Sequence, residues 1–149
     1  MTYDKICLPK QLGLVPFPKQ INFTAAMNLC SSLKGHLPQV WSKGDENLLI
    51  DIQKQFEICG AKTWIDLWDE IREGLFLPTK DHPHSFGAIK NDYNNWDLGE
   101  PNGDRVENCV FQGYNGWNDY RCDETVCTVC NITTVPTFTM RGSMIVIFC

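Results

Sequence analysis

The sequence predicts an α+β domain, and three features of the chain indicate this fold class. Two stretches with apolar residues at helical spacing lie before residue 57 of the 149-residue chain. Short segments rich in aromatic and β-branched residues follow them, as is typical of strands. Residues 74–105 combine glycine, proline, asparagine and aspartate over a length that is unusual for a structureless segment of a compact domain. Long connections of this kind are commonly binding loops.

Two helices are predicted from the spacing of apolar residues and from their end signals. The first runs from about Thr24 to Lys34, with Gly35 as the residue that stops it. The second begins after Ser42, and Asp45 three residues later forms a variant of the capping box. The apolar faces are formed by Ala26, Leu29, Cys30 and Leu33 in the first helix and by Leu48, Leu49, Ile52 and Phe56 in the second.

Strands are predicted on both sides of the helices. Three prolines, at positions 9, 16 and 18, favour extended edge-strand structure for residues 1–20. The aromatic run Thr63 to Trp68 is predicted to be a strand. The tail from residue 135 to 149 is β-prone again. We expect it to extend a domain that spans residues 1–134 and to be the edge of a larger modular protein.

Charge and hydropathy exclude several classes of partner. The net charge is −5 and no basic stripe is present, which argues against nucleic acid. No apolar run approaches the roughly 20 residues of a membrane helix, so membrane attachment would require an anchor beyond these residues. The amino terminus lacks the apolar region of a signal peptide, and we expect a mature segment whose leader has been removed.

Eight cysteines indicate an oxidising compartment, because an even number is what a disulfide framework requires. Positions 127 and 130 form a CxxC pair, but positions 109 and 122 lack the spacing of a second pair, which does not favour zinc. Two glycosylation sequons, at Asn22 and Asn131, agree with secretion. The chain is therefore expected to be secreted or to be the extracellular part of a larger protein.

The pair Asn115-Gly116 predicts a β-hairpin between two β-prone segments. A two-residue turn there sets Cys109 opposite Cys122, at a separation near that of a disulfide. The alternation of side chains then places Glu107, Cys109, Asn118 and Cys122 on one face. The hairpin is thus expected to bring Glu107 together with the segment at 118–119.

The long loop and the hairpin supply five oxygen-bearing side chains that could converge. Carboxylates and amides without histidine or thiolate suit calcium, which takes about 6–8 oxygen ligands, better than magnesium or zinc. Any one of these residues is also an ordinary turn residue, so the prediction depends on the set as a whole. The five residues are Glu100, Asn102, Glu107, Asn118 and Asp119.

Five short motifs follow one another along the chain: Trp64-Ile65-Asp66-Leu67, Tyr93-Asn94-Asn95-Trp96, Glu100-Pro101-Asn102, Glu107-Asn108-Cys109 and Trp117-Asn118-Asp119. Their order resembles that of the carbohydrate-recognition domain of C-type lectins over roughly residues 20–131. The resemblance implies two helices flanking small antiparallel sheets, with a long calcium-binding loop. It also implies a cis peptide bond before Pro101 and the disulfides Cys30–Cys130 and Cys109–Cys122. One family glycine is replaced by Asp66.

The same resemblance implies that the five oxygen-bearing residues bind both Ca2+ and the sugar. Asp69 and Glu73 match auxiliary calcium ligands of the family beside Glu107, and Asp104 is a candidate third ligand because Gly103 offers no side chain. The alternative for Asp69 and Glu73 is an ordinary solvated face.

The order of carboxylate and amide around Pro101 predicts the class of sugar. In lectins that resemble this chain, Glu before Asn accompanies equatorial 3- and 4-hydroxyls, as in mannose, fucose, glucose and N-acetylglucosamine, whereas galactose accompanies Gln-Pro-Asp. The predicted function is calcium-dependent binding of glycans or glycoproteins. The alternative is a lectin-like protein-binding or adhesion module of a larger extracellular or membrane receptor. Paired carboxylates could also hydrolyse a glycoside, but nothing distinguishes an acid from a base, and the chain is predicted not to be an enzyme.

Four cysteines remain, with three possible pairings. We expect Cys59–Cys127 and Cys7–Cys149, since the family brings its chain ends together. The alternative is that Cys7 or Cys149 is bonded to a neighbouring domain.

Overall fold

The computed structural model describes residues 4–8, 13–55, 61–69, 73–79, 93–103, 106–132, 140–141 and 144–148. Two helices lie in the amino-terminal half of these ranges and strands make up the rest, which agrees with the α+β prediction. The elements are β1 (Asp4–Leu8), β2 (Leu14–Ile21), α1 (Phe23–Ser32), β3 (Gly35–His36), α2 (Lys43–Gln55), β4 (Thr63–Trp68), β5 (Cys109–Gly113), β6 (Gly116–Tyr120), β7 (Val126–Ile132), β8 (Met140–Arg141) and β9 (Met144–Phe148).

The strands form two mixed sheets rather than the purely antiparallel sheets expected. The larger sheet has the order β2-β7-β4-β5-β6, with β3 also paired to β7, and β4 lies parallel to β7. Parallel neighbours need a crossover connection, which the long loop and the hairpin between β4 and β7 supply. The smaller sheet pairs β9 with β1 in parallel and with β8. The predicted domain boundary after residue 134 stays a prediction.

Helix α1 ends differently from the prediction. Its C-cap is Leu33, and Lys34 rather than Gly35 adopts the left-handed conformation, with φ of 63°. Gly35 instead begins β3, where an added Cβ would run into the backbone carbonyl of Asn131 on β7. The glycine is therefore required by the close approach of two strands and not by the helix stop.

Helix α2 begins where the sequence predicts, after Ser42. The Ser42 hydroxyl accepts a hydrogen bond from the Asp45 N–H at 3.1 Å, and the Asp45 carboxylate accepts one from the Trp41 N–H at 3.0 Å. The capping interactions thus match a capping box extended by one residue.

The predicted apolar face of α2 is partly wrong. Leu49 is fully buried, but Leu48 is 60% exposed, and the helix buries Glu46 and Gln53 instead. Gln53 is accommodated because its amide donates to the Gln112 carbonyl at 2.7 Å and to a threonine hydroxyl on β4. Phe56 lies outside the described residues.

The β5–β6 hairpin forms with a register shifted by two residues from the prediction. Gly113 pairs with Gly116, so the turn consists of residues 114–115 and Cys109 lies opposite Tyr120. Gly116 has φ of 146°, and a Cβ there would lie 2.5 Å from the Asn95 carbonyl oxygen. Residues 95–97 thus pack against Gly116, which belongs to β6 and not to the turn. A shift of two residues preserves the face, so Glu107 and Asn118 keep the predicted side.

Disulfides connect these elements through the core. The expected bonds Cys30–Cys130 and Cys109–Cys122 are confirmed, each with Cα atoms 5.2 Å apart. Cys127 is also disulfide-bonded, which excludes zinc at the CxxC pair. The other cysteines lie outside the part of the chain whose side chains are described, so Cys59–Cys127 and Cys7–Cys149 stay predictions.

Aromatic packing joins α1 to the sheet. Phe23 meets Trp64 edge to face at a centroid distance of 5.3 Å and stacks on Trp68 at 5.9 Å. A second buried cluster joins Leu49 of α2 to Val110 and Trp117 of the hairpin. In the described ranges, neither helix is long and apolar enough to cross a membrane.

Candidate functional site

The loop at residues 97–103 is held against the hairpin by backbone hydrogen bonds. The Asp97 N–H donates to the Trp117 carbonyl at 2.9 Å, and the Trp117 N–H donates to the Asn95 carbonyl at 2.7 Å. Within the loop, the Glu100 N–H donates to the Asp97 carbonyl at 2.9 Å. The peptide bond between Glu100 and Pro101 is cis, as the resemblance implies. The loop thus reaches the end of β6 where the predicted ligands lie.

Asp119 anchors the tip of this loop. Its side chain is 3% exposed on β6. One carboxylate oxygen accepts from the Asn102 N–H at 3.0 Å, and the other accepts from the Gly103 N–H at 2.8 Å. Both oxygens of Asp119 therefore take part in fixing the loop backbone.

Gly103 lies between two of the predicted carboxylates. A Cβ at this position would lie 2.6 Å from Glu107 Oε2 and 2.8 Å from Asp119 Oδ2. Distances below 3.0 Å essentially never occur around a real Cβ. Glycine is thus required at 103 to admit the two acidic side chains.

The crowding of carboxylates changes their ionisation. Burial raises the pKa of Glu100 to about 7, and the neighbouring Asp119 carboxyl adds to this effect through a hydrogen bond and through its charge. The pKa of Glu107 is also raised, first by burial and then by the charge of Asp119, while Arg121 opposes the shift. The three carboxylates therefore repel one another, and a bound cation would relieve that repulsion.

The two predicted amide ligands, Asn102 and Asn118, make fewer contacts with the carboxylates than the carboxylates make with one another. The Asn102 side chain is exposed, and its backbone N–H also donates to Glu100 Oε2 at 3.2 Å. Asn118 lies half-buried opposite Phe111, and its amide donates to the Gly116 carbonyl at 3.4 Å. Within the described ranges, no three histidine, cysteine, aspartate or glutamate side chains are positioned to hold one metal ion. The carboxylates are thus gathered, but they do not form a finished metal centre.

Asp69 of the predicted auxiliary site is buried rather than solvated. It is 4% exposed, and its Oδ2 accepts from the Gly74 N–H at 2.9 Å. Its Oδ1 is buried without a hydrogen-bond partner, so the solvated-face alternative is wrong for this residue. Glu73 is exposed, and Asp104 lies outside the described residues.

Sequence reasoning missed the role of Asp66, which replaces the family glycine. It is 4% exposed. Its carboxylate accepts hydrogen bonds from the Thr79 N–H at 3.0 Å, the Thr79 hydroxyl at 2.7 Å and the Gln39 amide at 2.9 Å. An acidic residue flanked by apolar residues within a strand is the signal that could have indicated a buried, hydrogen-bonded carboxylate.

The two sequons occupy different environments. Asn22 is exposed at the N-cap of α1, where its side-chain oxygen accepts from the Ala25 N–H at 2.9 Å. Asn131 is half-buried within β7, which pairs there with both β2 and β3. Glycosylation at either site stays a prediction.

Comparison with known proteins identifies the family. Residues 19–132 match the family model described as Lectin C-type domain. The chain is 28% identical over 116 residues to C-type lectin domain family 4 member M of Gorilla gorilla gorilla, covering 78% of this chain and 29% of that protein. It covers between 22% and 41% of the length of the primate relatives it matches.

Solved structures share the fold. The cow C-type carbohydrate-recognition domain of CD23, solved with a GlcNAc2Man3 oligosaccharide, matches with a TM-score of 0.64 and 27% identity, over 81% of this chain and 88% of that one. Herring type II antifreeze protein matches with a TM-score of 0.66 and 20% identity, over 81% and 92% of the two chains, which shows the fold alone.

The chain belongs to the C-type lectin domain family, because the family model matches most of its length. This is a family of non-enzymatic binding domains, so residues 19–132 form a lectin-type domain and not a catalytic one.

Proposed function

We propose that this domain binds glycans in a calcium-dependent manner through the loop at residues 100–103 and the hairpin. The observation that carries the proposal is the proximity of three carboxylates: those of Glu107 and Asp119 flank Gly103, and Asp119 also lies next to Glu100. Burial raises the pKa of Glu100 and Glu107, and the charge of Asp119 adds to both shifts. A cation would relieve this repulsion.

The donor set fits calcium. The proposed ligands are all oxygen donors, with three carboxylates and two amides, and calcium accepts irregular sets of oxygen ligands. A bound ion would offer vacant coordination positions to sugar hydroxyls. Each oxygen of Asp119 accepts one backbone N–H group, which leaves a lone pair on each oxygen for an ion. The proposed ligands are Glu100, Asn102, Glu107, Asn118 and Asp119, with Asp69, Glu73 and Asp104 as a proposed auxiliary set.

The side chains themselves supply the sugar recognition. A sugar hydroxyl can donate to the carboxylate of Glu100 or Glu107 and accept from the amide of Asn102 or Asn118. Glu before Asn around Pro101 favours vicinal equatorial 3- and 4-hydroxyls, as in mannose, fucose, glucose and N-acetylglucosamine. The disulfides support an extracellular location for this binding, either in a secreted protein or in the outer part of a larger one.

Mannan affinity chromatography tests the calcium requirement. The protein is expected to be retained on mannan resin in millimolar calcium and released by a chelator, because the ion links the carboxylates to the sugar. Glu124→Gln, an exposed change outside the site, serves as a control that should behave like the wild type. Retention through the chelator wash would refute the calcium mechanism.

The sugar class is tested by exchanging the two side chains around Pro101. The double variant Glu100→Gln, Asn102→Asp should bind galactose in preference to mannose in a monosaccharide competition assay. If its order of competitors equals that of the wild type, these two residues do not set specificity.

A protein-binding module is the second candidate. It is favoured by the two hydrogen bonds from the Asn102 and Gly103 N–H groups to Asp119, which hold the loop backbone in one shape that a protein surface could recognise. A domain of this kind would give no signal on a glycan array with or without calcium, whereas the lectin would bind only with calcium.

A further inference from the structure

An open groove of about 380 Å³ lies between α2 and the strands β2 and β7. Its walls are residues 13–14 at the start of β2, one side of α2, and Asn131 near the end of β7. Its volume lies within the range of about 300 to 1,000 Å³ that is typical of sites for small organic groups. None of the proposed calcium or sugar ligands lines it.

Leu48 leaves most of its surface exposed in this groove. The spacing of apolar residues predicts a buried position for it, yet it is 60% exposed, whereas the adjacent Leu49 is fully buried. Leu14 and Ile52 also line the groove and are only partly buried. Three aliphatic side chains thus border one open space, and a group with apolar carbon atoms in that space would remove them from water.

The Asn131 side chain lies on the face of the sheet that α2 covers. Val129, two residues earlier on β7, is buried in a cluster with Leu49 of α2, whereas Cys130 belongs to the cluster formed with α1. Side chains alternate along a strand, so Asn131 shares the face of Val129. Asn131 also pairs directly with Leu14 of β2, and directly opposed residues of antiparallel strands have their side chains on one face. The Asn131 amide therefore lies on the side of the groove.

Asn131 also begins the sequon Asn131-Ile132-Thr133, which makes its amide an acceptor for N-linked glycosylation in a secretory compartment. The two disulfides of the core agree with such a compartment. In this reaction the Asn131 amide nitrogen forms a bond to the anomeric carbon of N-acetylglucosamine. The bond from that carbon to the diphosphate of a lipid-linked oligosaccharide donor breaks, and the amide proton leaves with the lipid diphosphate.

We propose that Asn131 carries an N-linked glycan whose first N-acetylglucosamine lies in this groove and covers Leu48. The amide that anchors the sugar lines the groove, so the first sugar residue starts at the groove wall. The C–H groups of its ring and its N-acetyl methyl group supply apolar surface for Leu14, Leu48 and Ile52, while its hydroxyls stay in water. Leu48 is exposed in the protein alone because the glycan is the group that covers it. This inference is independent of the proposed calcium and sugar site.

Expression in cells that attach oligomannose glycans tests the occupancy of Asn131. Thr24→Ala removes the sequon at Asn22 and retains the Asn22 cap, so a single sequon remains. Peptide mass spectrometry should then find a glycan on Asn131, and an unglycosylated Asn131 would overturn the proposal. Endoglycosidase H trims this glycan to one N-acetylglucosamine, which is the part that the groove should hold.

Thermal unfolding of the trimmed protein tests the contact with Leu48. Thr133→Ala, in the same Thr24→Ala background, gives the protein without the glycan. The single N-acetylglucosamine should raise Tm by about 2–4 °C relative to this variant, a shift typical of one stabilising contact in a chain of this length. Leu48→Ser should remove most of this rise, because the groove loses apolar surface. Leu98→Ser, which replaces an almost fully exposed leucine outside the groove, should leave the rise unchanged.

Each leucine variant is compared with and without the sequon, so that the effect of the substitution itself cancels. Both leucines are exposed, so both variants are expected to fold, and circular dichroism checks this. If Leu48→Ser is not secreted, Leu48→Ala takes its place. An equal rise in Tm in the protein with Leu48 and in Leu48→Ser, or no rise in either, would overturn the proposal.

Discussion

Asp119 is the residue on which the candidate site depends most. It is buried on a strand, and its two oxygens hold the backbone of Asn102 and Gly103. Burial raises the pKa of both Glu100 and Glu107, and the charge of Asp119 adds to both shifts. One side chain therefore holds the loop backbone and contributes to the electrostatics of its neighbours.

The raised pKa of Glu100 predicts how the metal-free domain responds to pH. The pKa in the folded protein is about 7, above the ordinary value of 4.5, so folding favours the protonated form. This contribution to stability is fully present below pH 4.5 and is lost as the pH rises through about 7. The Glu100 carboxyl should therefore make the free energy of unfolding lower at about pH 8 than at about pH 5. Urea unfolding in the presence of a chelator measures this difference.

Glu100→Gln provides the control for this pH dependence, because it cannot ionise. Its metal-free stability should vary less between these pH values, and an identical slope in wild type and variant would contradict the assignment. In calcium, the free energy of unfolding should instead be higher at about pH 8 than at about pH 5. Carboxylates bind metal in their deprotonated form, so calcium affinity falls on acidification.

Gly103→Ala is predicted to disturb the site, because the new methyl group would lie between Glu107 and Asp119. Overpacking of this kind typically costs about 1–3 kcal/mol. Thermal unfolding with and without calcium should show a smaller calcium-induced rise in Tm than in the wild type. Gly113→Ala is the matched control, because its nearest neighbour would lie at 3.6 Å, an ordinary contact. Equal calcium responses in both variants would contradict the prediction.

At the level of elements, the β5–β6 hairpin explains why an error in register left the predicted face intact. The turn lies one residue earlier than Asn115-Gly116, because Gly116 is packed against the segment at residues 95–97. Side chains alternate with a period of two, so a shift of two residues changes neighbours and preserves sides. Cys109 still reaches Cys122, which lies just beyond the end of β6.

Helix α1 offers a test that separates capping from glycosylation. Asn22 caps the helix through its side-chain oxygen, and no acidic residue lies in the first turn. Asn22→Ala should lower the free energy of unfolding by about 1 kcal/mol, whereas Asn22→Asp should retain the cap. Urea unfolding of protein without glycans measures both variants, each of which lacks the sequon. Equal losses of stability in the two would show that the cap contributes little.

At the level of the whole molecule, two disulfides close loops of very different length. Cys30–Cys130 spans 100 residues and joins α1 to β7, while Cys109–Cys122 spans 13 residues within the hairpin region. Loop-closure entropy predicts about 4.7 kcal/mol for a loop of about 100 residues and about 3 kcal/mol for about 15 residues. Replacing the first pair by alanine should therefore destabilise the protein more.

Urea unfolding of the two double alanine variants measures this difference, and mannan binding gives a second measurement. Although removal of Cys109–Cys122 should cost less stability than removal of Cys30–Cys130, it should weaken mannan binding more. The reason is that the Cys109–Cys122 bond lies next to Glu107 and Asp119 in the chain. Equal or reversed losses of stability would contradict the entropic account.

The elements with strong local signals were predictable from the sequence. The strand at Thr63–Trp68 has the predicted bounds, and the start of α2 follows from Ser42 and Asp45. The end of α1 and the buried face of α2 were not predictable, because Gly35 and Gln53 serve contacts with strands far away in the chain.

The acidic loop, the cis proline and two disulfides followed from the order of residues and the resemblance it supports. The sequence by itself determined which oxygen-bearing side chains exist and that they lie near one hairpin, because spacing and alternation are local properties. Only the tertiary structure decided that Asp119 holds the loop backbone, that Gly103 must lack a side chain, and that Asp66 is buried among three hydrogen-bond donors. These facts depend on close approach between segments distant in the chain, which no local pattern encodes.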